Sequence, residues 1–241
     1  MSLALKLALS PLLVAQAVAT RRRAPVLPEA AGPRAGRLGR GDGGLRLLIA
    51  GDSSAAGVGV AHQDQALAGH LTRTLHRQTG RVLDWALHAR SGLTTQQVHV
   101  LLREAAPSPA DVAVVVTGVN DVIDQIPSRR AVAHREALAD WLLAECGVAC
   151  VLFAPLPPVH RFPLLPQPLR RVMGDDARRH DDAMARWAAT RRDVAYVPIA
   201  LDLSPDAMAS DGFHPGEPVY RACGEALAAH IAALNFKETT P

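Results

Sequence analysis

An α/β sandwich on a parallel sheet is the fold class this sequence predicts, and three features carry the prediction. Apolar or alternating stretches of strand length recur five times between residues 45 and 199. Segments with helical periodicity and helix caps separate them. One of the stretches, DVAVVVTG at 111–118, is a continuous β-branched run, as in a strand covered on both faces. Regular alternation of strand and helix implies parallel strands joined by crossovers, with helices on both sides of the sheet.

Taken in order, LRLLIA (45–50) is the first strand. DQALAGHLTRTLHRQTG (64–80) is a helix with Ala66, Leu67, Leu71 and Leu75 near helical spacing and Gly80 as its stop. RVLDWALHA (81–89) alternates, with Val82, Asp84 and Ala86 facing one way and Leu83, Trp85 and Leu87 the other. TTQQVHVLLREAA (94–106) is a helix capped by Thr94 or Thr95 and halted before Pro107. After the third strand, SRRAVAHREALADWLLAECG (128–147) is a helix with Ser128 as N-cap and Gly147 as stop. VACVLFA (148–154) is the fourth strand. DDARRHDDAMARWAATRR (175–192) is an amphipathic helix whose Asp175-Asp176 and Asp181-Asp182 pairs are expected on its solvated face. VAYVPI (194–199) is the last strand, and PVYRACGEALAAHIAAL (218–234) the closing helix.

At 241 residues, 49% hydrophobic and 20% charged, the chain can bury one full core. The net charge of +3 comes largely from Arg21, Arg22, Arg23, Arg34, Arg37 and Arg40, and the remainder is slightly acidic. With 4% aromatics there is no basic stripe interleaved with stacking rings, so no nucleic acid partner is expected. Three cysteines without a CxxC pair give no disulfide framework; Cys146 and Cys150 read as packing residues, and the odd count fits a reducing compartment.

Residues 3–19 are apolar and end at TRRR. Ala17-Val18-Ala19 has the form of a signal-cleavage site, with Lys6 as a small positive n-region. The stretch is short for a spanning helix and carries Lys6, Pro11 and Gln16. Arginines beside an apolar helix favour the cytoplasmic face and anionic lipid. For residues 1–23 the preferred reading is a helix in or on the inner membrane. A cleaved signal peptide, giving a periplasmic or secreted protein, comes next, and a helix packed on the domain third. Residues 24–44, rich in Pro, Gly and Arg, read as a linker or a chain wrapped over the surface, with the domain at 45–236 and a tail at 237–241.

In such a sheet ligands bind beyond the carboxyl ends of the strands. The residues standing there are Gly51-Asp52-Ser53, Arg90-Ser91-Gly92 and Gly118-Val119-Asn120-Asp121, with Asp211-Gly212-Phe213-His214 before the last helix. A serine hydroxyl needs a base to take its proton, and His214 is the candidate. That imidazole needs a carboxylate on its other nitrogen, which Asp211 can supply by curling back over three residues. The N–H groups of Ser53 and Gly92, with the Asn120 amide, are candidate donors to an oxyanion. Asp52 is expected to accept backbone hydrogen bonds in the Ser53 turn, and Asp121 to brace the loop of Asn120.

These blocks resemble those of the SGNH (GDSL-type) hydrolase family: Gly51-Asp52-Ser53 with Gly57, then Gly92, then Gly118-x-Asn120-Asp121, then Asp211-x-x-His214. The resemblance covers residues 45–235. It implies a flavodoxin-like three-layer α/β/α sandwich, here with a five-stranded parallel sheet. It also implies ester cleavage without metal or organic cofactor, with Ser53 as nucleophile, His214 as base and Asp211 as triad acid. Ser53, Gly92 and Asn120 correspond to the oxyanion hole. One departure is Arg90-Ser91, where the family often has an asparagine shortly before the glycine.

The expected activity is esterase or lipase-like, on a small-molecule or lipid-like ester. O-deacetylation of carbohydrate or peptidoglycan and hydrolysis of acyl-CoA thioesters are alternatives with the same machinery. The α/β-hydrolase elbow GxSxG is not met, because Ala55 stands at its last glycine. A flavodoxin-like binding module with a dead site is the non-enzyme alternative. His62, His70, His76, His88 and His99 lack metal-ligand spacing, so no metal site is expected. No phosphate-binding glycine motif follows a strand. The loop APLPPVHRFPLLPQPLR (154–170) is either a stiff connector or an apolar wall in which Leu156, Val159 and Phe162, with Leu164 and Leu165, receive an acyl chain.

Overall fold

The computed structural model describes residues 3–234. The expected tail 237–241 and the last residues assigned to the domain lie outside them. The strands are β1 (Ala35–Leu38), β2 (Leu45–Gly51), β3 (Leu83–Ala89), β4 (Val112–Val116), β5 (Cys150–Phe153) and β6 (Val194–Tyr196). They form one sheet in the order β1-β3-β2-β4-β5-β6, and every pairing is parallel except β1 with β3. The five expected strands are therefore joined by a sixth, antiparallel at the edge, from within the stretch read as linker. AGRL has no alternation to announce a strand. It is held by its register on β3, Ala35 opposite Ala86 through Leu38 opposite Leu83, and by the Arg37–Asp84 ion pair at 3.0 Å.

The helices are α1 (Leu3–Arg23), α2 (Ser53–Ala56), α3 (Leu67–Thr79), α4 (Thr95–Ala105), α5 (Val119–Ile123), α6 (Ser128–Glu145), α7 (Leu169–Ala188) and α8 (Glu217–Ala233). Alternation along the strands sorts the core into two layers. Leu47 and Ile49 of β2 pack with Val112 and Val114 against Leu71 and Leu75 of α3 and Leu227 and Ile231 of α8. Leu48 and Ala50 pack with Ala113 and Val115 against Leu102 of α4, Leu138 and Leu142 of α6 and Met184 of α7. Each Val, Leu, Ile or Met side chain among these contributes about 1.5–3 kcal/mol when removed from water. Helices thus cover both faces, as the sequence predicts.

Local signals explain the helix ends. Thr94 accepts from the Gln97 N–H while the Gln97 side chain accepts from the Thr94 N–H, a reciprocal capping box that starts α4. The cap of α6 is Pro127 rather than Ser128. Helix α7 begins at Leu169, six residues before the acidic stretch that suggested it. Two of its aspartates do not face solvent. Asp176 is buried and paired with Lys6 of α1 at 2.5 Å and with Arg179. Asp181 accepts from the Leu156 N–H (2.8 Å) and the Tyr196 hydroxyl (2.9 Å). The amide of Gln16 adds two contacts from α1, to the Gln167 carbonyl and the Leu169 N–H. These contacts lay α1 against α7 and the residues that lead into it. No helix among the described residues is long and apolar enough to cross a membrane.

Candidate active site

The sheet order reverses at β2: the chain runs next to β3 on one side and returns to β4 on the other. Crevices form at the carboxyl ends of strands at such a switch point. Asp52 and Ser53 leave β2 there, and Gly118 and Asn120 leave β4.

Close approach shapes the Ser53 turn. A Cβ on Gly51 would stand 2.2 Å from the Val116 carbonyl oxygen, so only glycine lets the end of β2 pass. Asp52 caps α2, its carboxylate accepting from the Ser54 N–H at 3.0 Å. This places Ser53 on the first residue of a short helical turn. Across the cleft, Gly59 lets the turn lie against the histidine loop, since a Cβ there would meet the Pro215 carbonyl at 2.2 Å.

The histidine loop is built around Asp211. One carboxylate oxygen accepts from the N–H groups of Phe213 and His214, both at 2.9 Å. The other lies 2.6 Å from His214 Nδ1. Burial alone would raise the Asp211 pKa. The His214 ring, the two N–H donors and the His214 charge outweigh that and hold it below the usual carboxylate range. An ionised carboxylate only accepts, so Nδ1 carries a proton, and in the neutral ring Nε2 then offers its lone pair. Nε2 lies 3.1 Å from Ser53 Oγ. Ser53, His214 and Asp211, expected together from the sequence, are thus joined in one relay across 161 residues of chain.

The other expected residues divide. Gly92 and Asn120 line the same cavity as Ser53 and His214. Among the described residues the Ser53 and Gly92 N–H groups donate to no protein acceptor. The Asn120 amide donates to the Leu93 carbonyl at 3.0 Å and faces Asp52 at 3.4 Å. Phe162 lines the cavity and packs edge-on against Phe213. Leu156 and Val159 do not line it. Val159 is fully buried in the core, and Leu156 packs over Gly118. The proline-rich loop turns these two inward and presents Ala154, Pro155 and Pro157 to the cavity instead.

Sequence reasoning missed Arg135, which is wholly buried beneath the site with Asp121 at 3.5 Å. Its signal was present: it stands with Ala131, Leu138, Ala139 and Leu142 on the buried face of α6. Burial lowers its pKa, while the charges of Asp121, Asp181 and Asp52 favour its cationic form. Asp121 in turn accepts from the Thr95 N–H (2.9 Å) and hydroxyl (2.6 Å), tying the Asn120 loop to the start of α4.

The sequence pattern of the GDSL-like lipase/acylhydrolase family matches residues 49–222. The chain belongs to that family. A GDSL-like esterase of Mycobacterium tuberculosis is 31% identical over 205 residues, which cover 80% of this chain and 62% of that protein. The chain therefore spans about three-fifths of that relative's length. A lipolytic protein of the G-D-S-L family from Veillonella parvula superposes with a TM-score of 0.62 at 12% identity, covering 79% of this chain and all of the other. The esterase EstA from a Pseudoalteromonas species, in a structure inhibited by monoethylphosphonate, gives 0.54 at 17% identity, covering 77% and 96%. Both structures share the fold.

Within this GDSL-family site Asp52 has a consequence for stability. Burial, ahead of all other causes, pushes its pKa up from 3.8 to about 7; the Ser54 N–H and His214 oppose this, while Asp121 adds to it. A folded-state pKa above the unfolded one means that the native chain holds a proton the unfolded chain releases. The resulting stability is complete below about pH 4 and is lost as pH rises through 7. In Asp52→Asn the cap on Ser54 survives and the titration does not. Urea midpoints at pH 5 and pH 8 are expected to differ less in the variant than in the wild type.

Proposed function

We propose that the chain is a serine hydrolase that cleaves carboxylic esters through an acyl-enzyme. The observation supporting this most directly is the relay from Ser53 Oγ to His214 Nε2 and from His214 Nδ1 to Asp211. Ser53 Oγ bonds to the ester carbonyl carbon as its proton passes to His214 Nε2. The tetrahedral oxyanion takes the free N–H groups of Ser53 and Gly92. The Asn120 amide joins them by exchanging its long contact to Asp52 for the substrate oxygen. Collapse breaks the bond to the alcohol, which leaves with the proton from His214. Water then takes the place of the serine: its oxygen bonds to the acyl carbon as His214 Nε2 takes its proton, and that proton passes to Ser53 Oγ as the acyl bond breaks, freeing the carboxylic acid and Ser53.

The cavity at Ser53 measures about 440 Å³, within the range of small-molecule sites. Leu67, Val116, Phe162, Leu201, Leu203 and Phe213 are among its walls. Such a lining favours an acyl chain over a sugar, and hence a lipid-like ester over an O-acetylated carbohydrate. Each buried methylene contributes ~0.8 kcal/mol, a factor of ~4 in binding. On p-nitrophenyl esters from acetyl to palmitoyl, kcat/KM is expected to rise at least ~10-fold from acetyl to a medium chain. A steady fall from acetyl onward would point to deacetylation instead.

A further inference from the structure

The segment between α1 and β1 belongs to the site. Its hydrogen bonds run to two loops that must be held in fixed relation. On one side, the Ala30 N–H donates to the carbonyl of Ala56, the last residue of the Ser53 turn, at 3.2 Å. The Gln63 amide bridges the carbonyls of Ala30 and Ala56 at 3.2 and 3.0 Å. Ala31 pairs with Ala61 and Gln63 through its backbone. On the other side, one carboxylate oxygen of Glu29 accepts both the backbone N–H of Ser91 (2.7 Å) and its hydroxyl (2.9 Å). The second oxygen accepts from Arg34 at 2.5 Å, and Arg34 also donates to the Ala89 carbonyl at the end of β3.

We propose that Glu29 is a positioning residue for the oxyanion site, fixing the Gly92 N–H relative to Ser53 by holding Ser91 at two atoms. This rests on the hydrolase reading above. The Gly92 N–H is part of the peptide unit that Ser91 begins, so the direction of that donor follows from where Ser91 is held. Little else holds it. Arg90, Ser91 and Gly92 are exposed, Gly92 has φ +81°, and a Cβ on it would have no neighbour within 4 Å. A glycine in open space samples many conformations, and a donor that must reorganise loses most of its value to a transition state. Upstream of Gly92 the ties are Glu29 and a 3.3 Å bond from the Arg90 N–H to Gly51; downstream they begin with the Leu93 carbonyl on Asn120. Burial acts to raise the Glu29 pKa, but the Ser91 donors and Arg34 bring it below the usual range, so the acceptor is ionised at neutral pH.

The test compares wild type with Glu29→Ala, Glu29→Gln and Ser91→Ala on one p-nitrophenyl ester, with active sites counted by fluorophosphonate titration. Glu29→Ala is expected to lower kcat per titrated site roughly 10–100-fold with KM within about twofold, a part of what deleting an oxyanion donor costs. Glu29→Gln keeps an acceptor for Ser91 and is expected to recover most of the loss. Adding Ser91→Ala to Glu29→Ala is expected to cost nothing further. Amide exchange in residues 90–93 is expected to quicken in Glu29→Ala while α3 and α8 keep their protection. A kcat per titrated site within twofold of wild type would overturn the proposal. So would a glutamine variant as slow as the alanine one, or unchanged exchange at 90–93. A wild-type protein without ester turnover would instead overturn the hydrolase reading itself.

Discussion

Replacing Ser53 by alanine is expected to lower kcat on a p-nitrophenyl ester roughly 10⁶-fold, to the level of residual oxyanion and binding effects. The size follows from the chemistry. Ser53 Oγ is the hydroxyl within hydrogen-bond reach of His214 Nε2, and its removal takes away the nucleophile that this base would activate. The fold is expected to persist, because Ser53 contributes no core packing and the turn is built by other residues. Asp52 caps it, Gly51 admits it and Ala55 and Ala56 bury it. Circular dichroism and the urea midpoint check that persistence, and kcat checks the loss. A variant that folds and retains more than about one hundredth of wild-type turnover would remove Ser53 from the mechanism.

Asp211→Asn is the second large effect, with an expected fall of roughly 10⁴ in kcat. An asparagine is nearly the same size and its oxygen can still accept from the Phe213 and His214 N–H groups, so the loop keeps its shape. What changes is the atom facing His214 Nδ1 at 2.6 Å. An amide NH₂ there donates to the ring, so Nδ1 becomes the acceptor and Nε2 carries the proton. Nε2–H then faces Ser53 and cannot remove a proton from it. Turnover with KM near the wild-type value and a correctly folded loop are expected together. Near-wild-type kcat in this variant would mean that the carboxylate plays no part in setting the tautomer.

Much of the site was legible because its residues sit at strand exits, which the alternation of elements locates. Ser53, Gly92, Asn120, Asp211 and His214 all line one crevice or abut it, although up to 161 residues separate hydrogen-bonded partners. Strands β2, β4 and β5 were legible because burial on both faces leaves apolar runs such as VAVVV, and β3 because its side chains alternate. Strand β1 was not, since its order comes from pairing on β3 rather than from composition. Glu29 was hidden for the same reason: its carboxylate acts on Ser91 across 62 residues, a distance no local periodicity encodes. In the proline-rich loop the sequence offered several apolar residues for the cavity. The three-residue turn Val159–Arg161 decides among them, burying Val159 while Phe162 reaches Phe213. The aspartates of α7 misled because an acidic pair resembles a solvated face. Asp176 is covered by Lys6 of a helix lying 170 residues earlier in the chain.

The most direct measurement is mass spectrometry of the folded protein after exposure to a fluorophosphonate, with the modified peptide sequenced. The hydroxyl that the relay activates should carry a single adduct at Ser53, and His214→Ala should slow its formation by about three orders of magnitude or more. An adduct on a different serine, or a folded protein that takes up none, would contradict the claim that the imidazole near the end of the chain activates the first alcohol after β2.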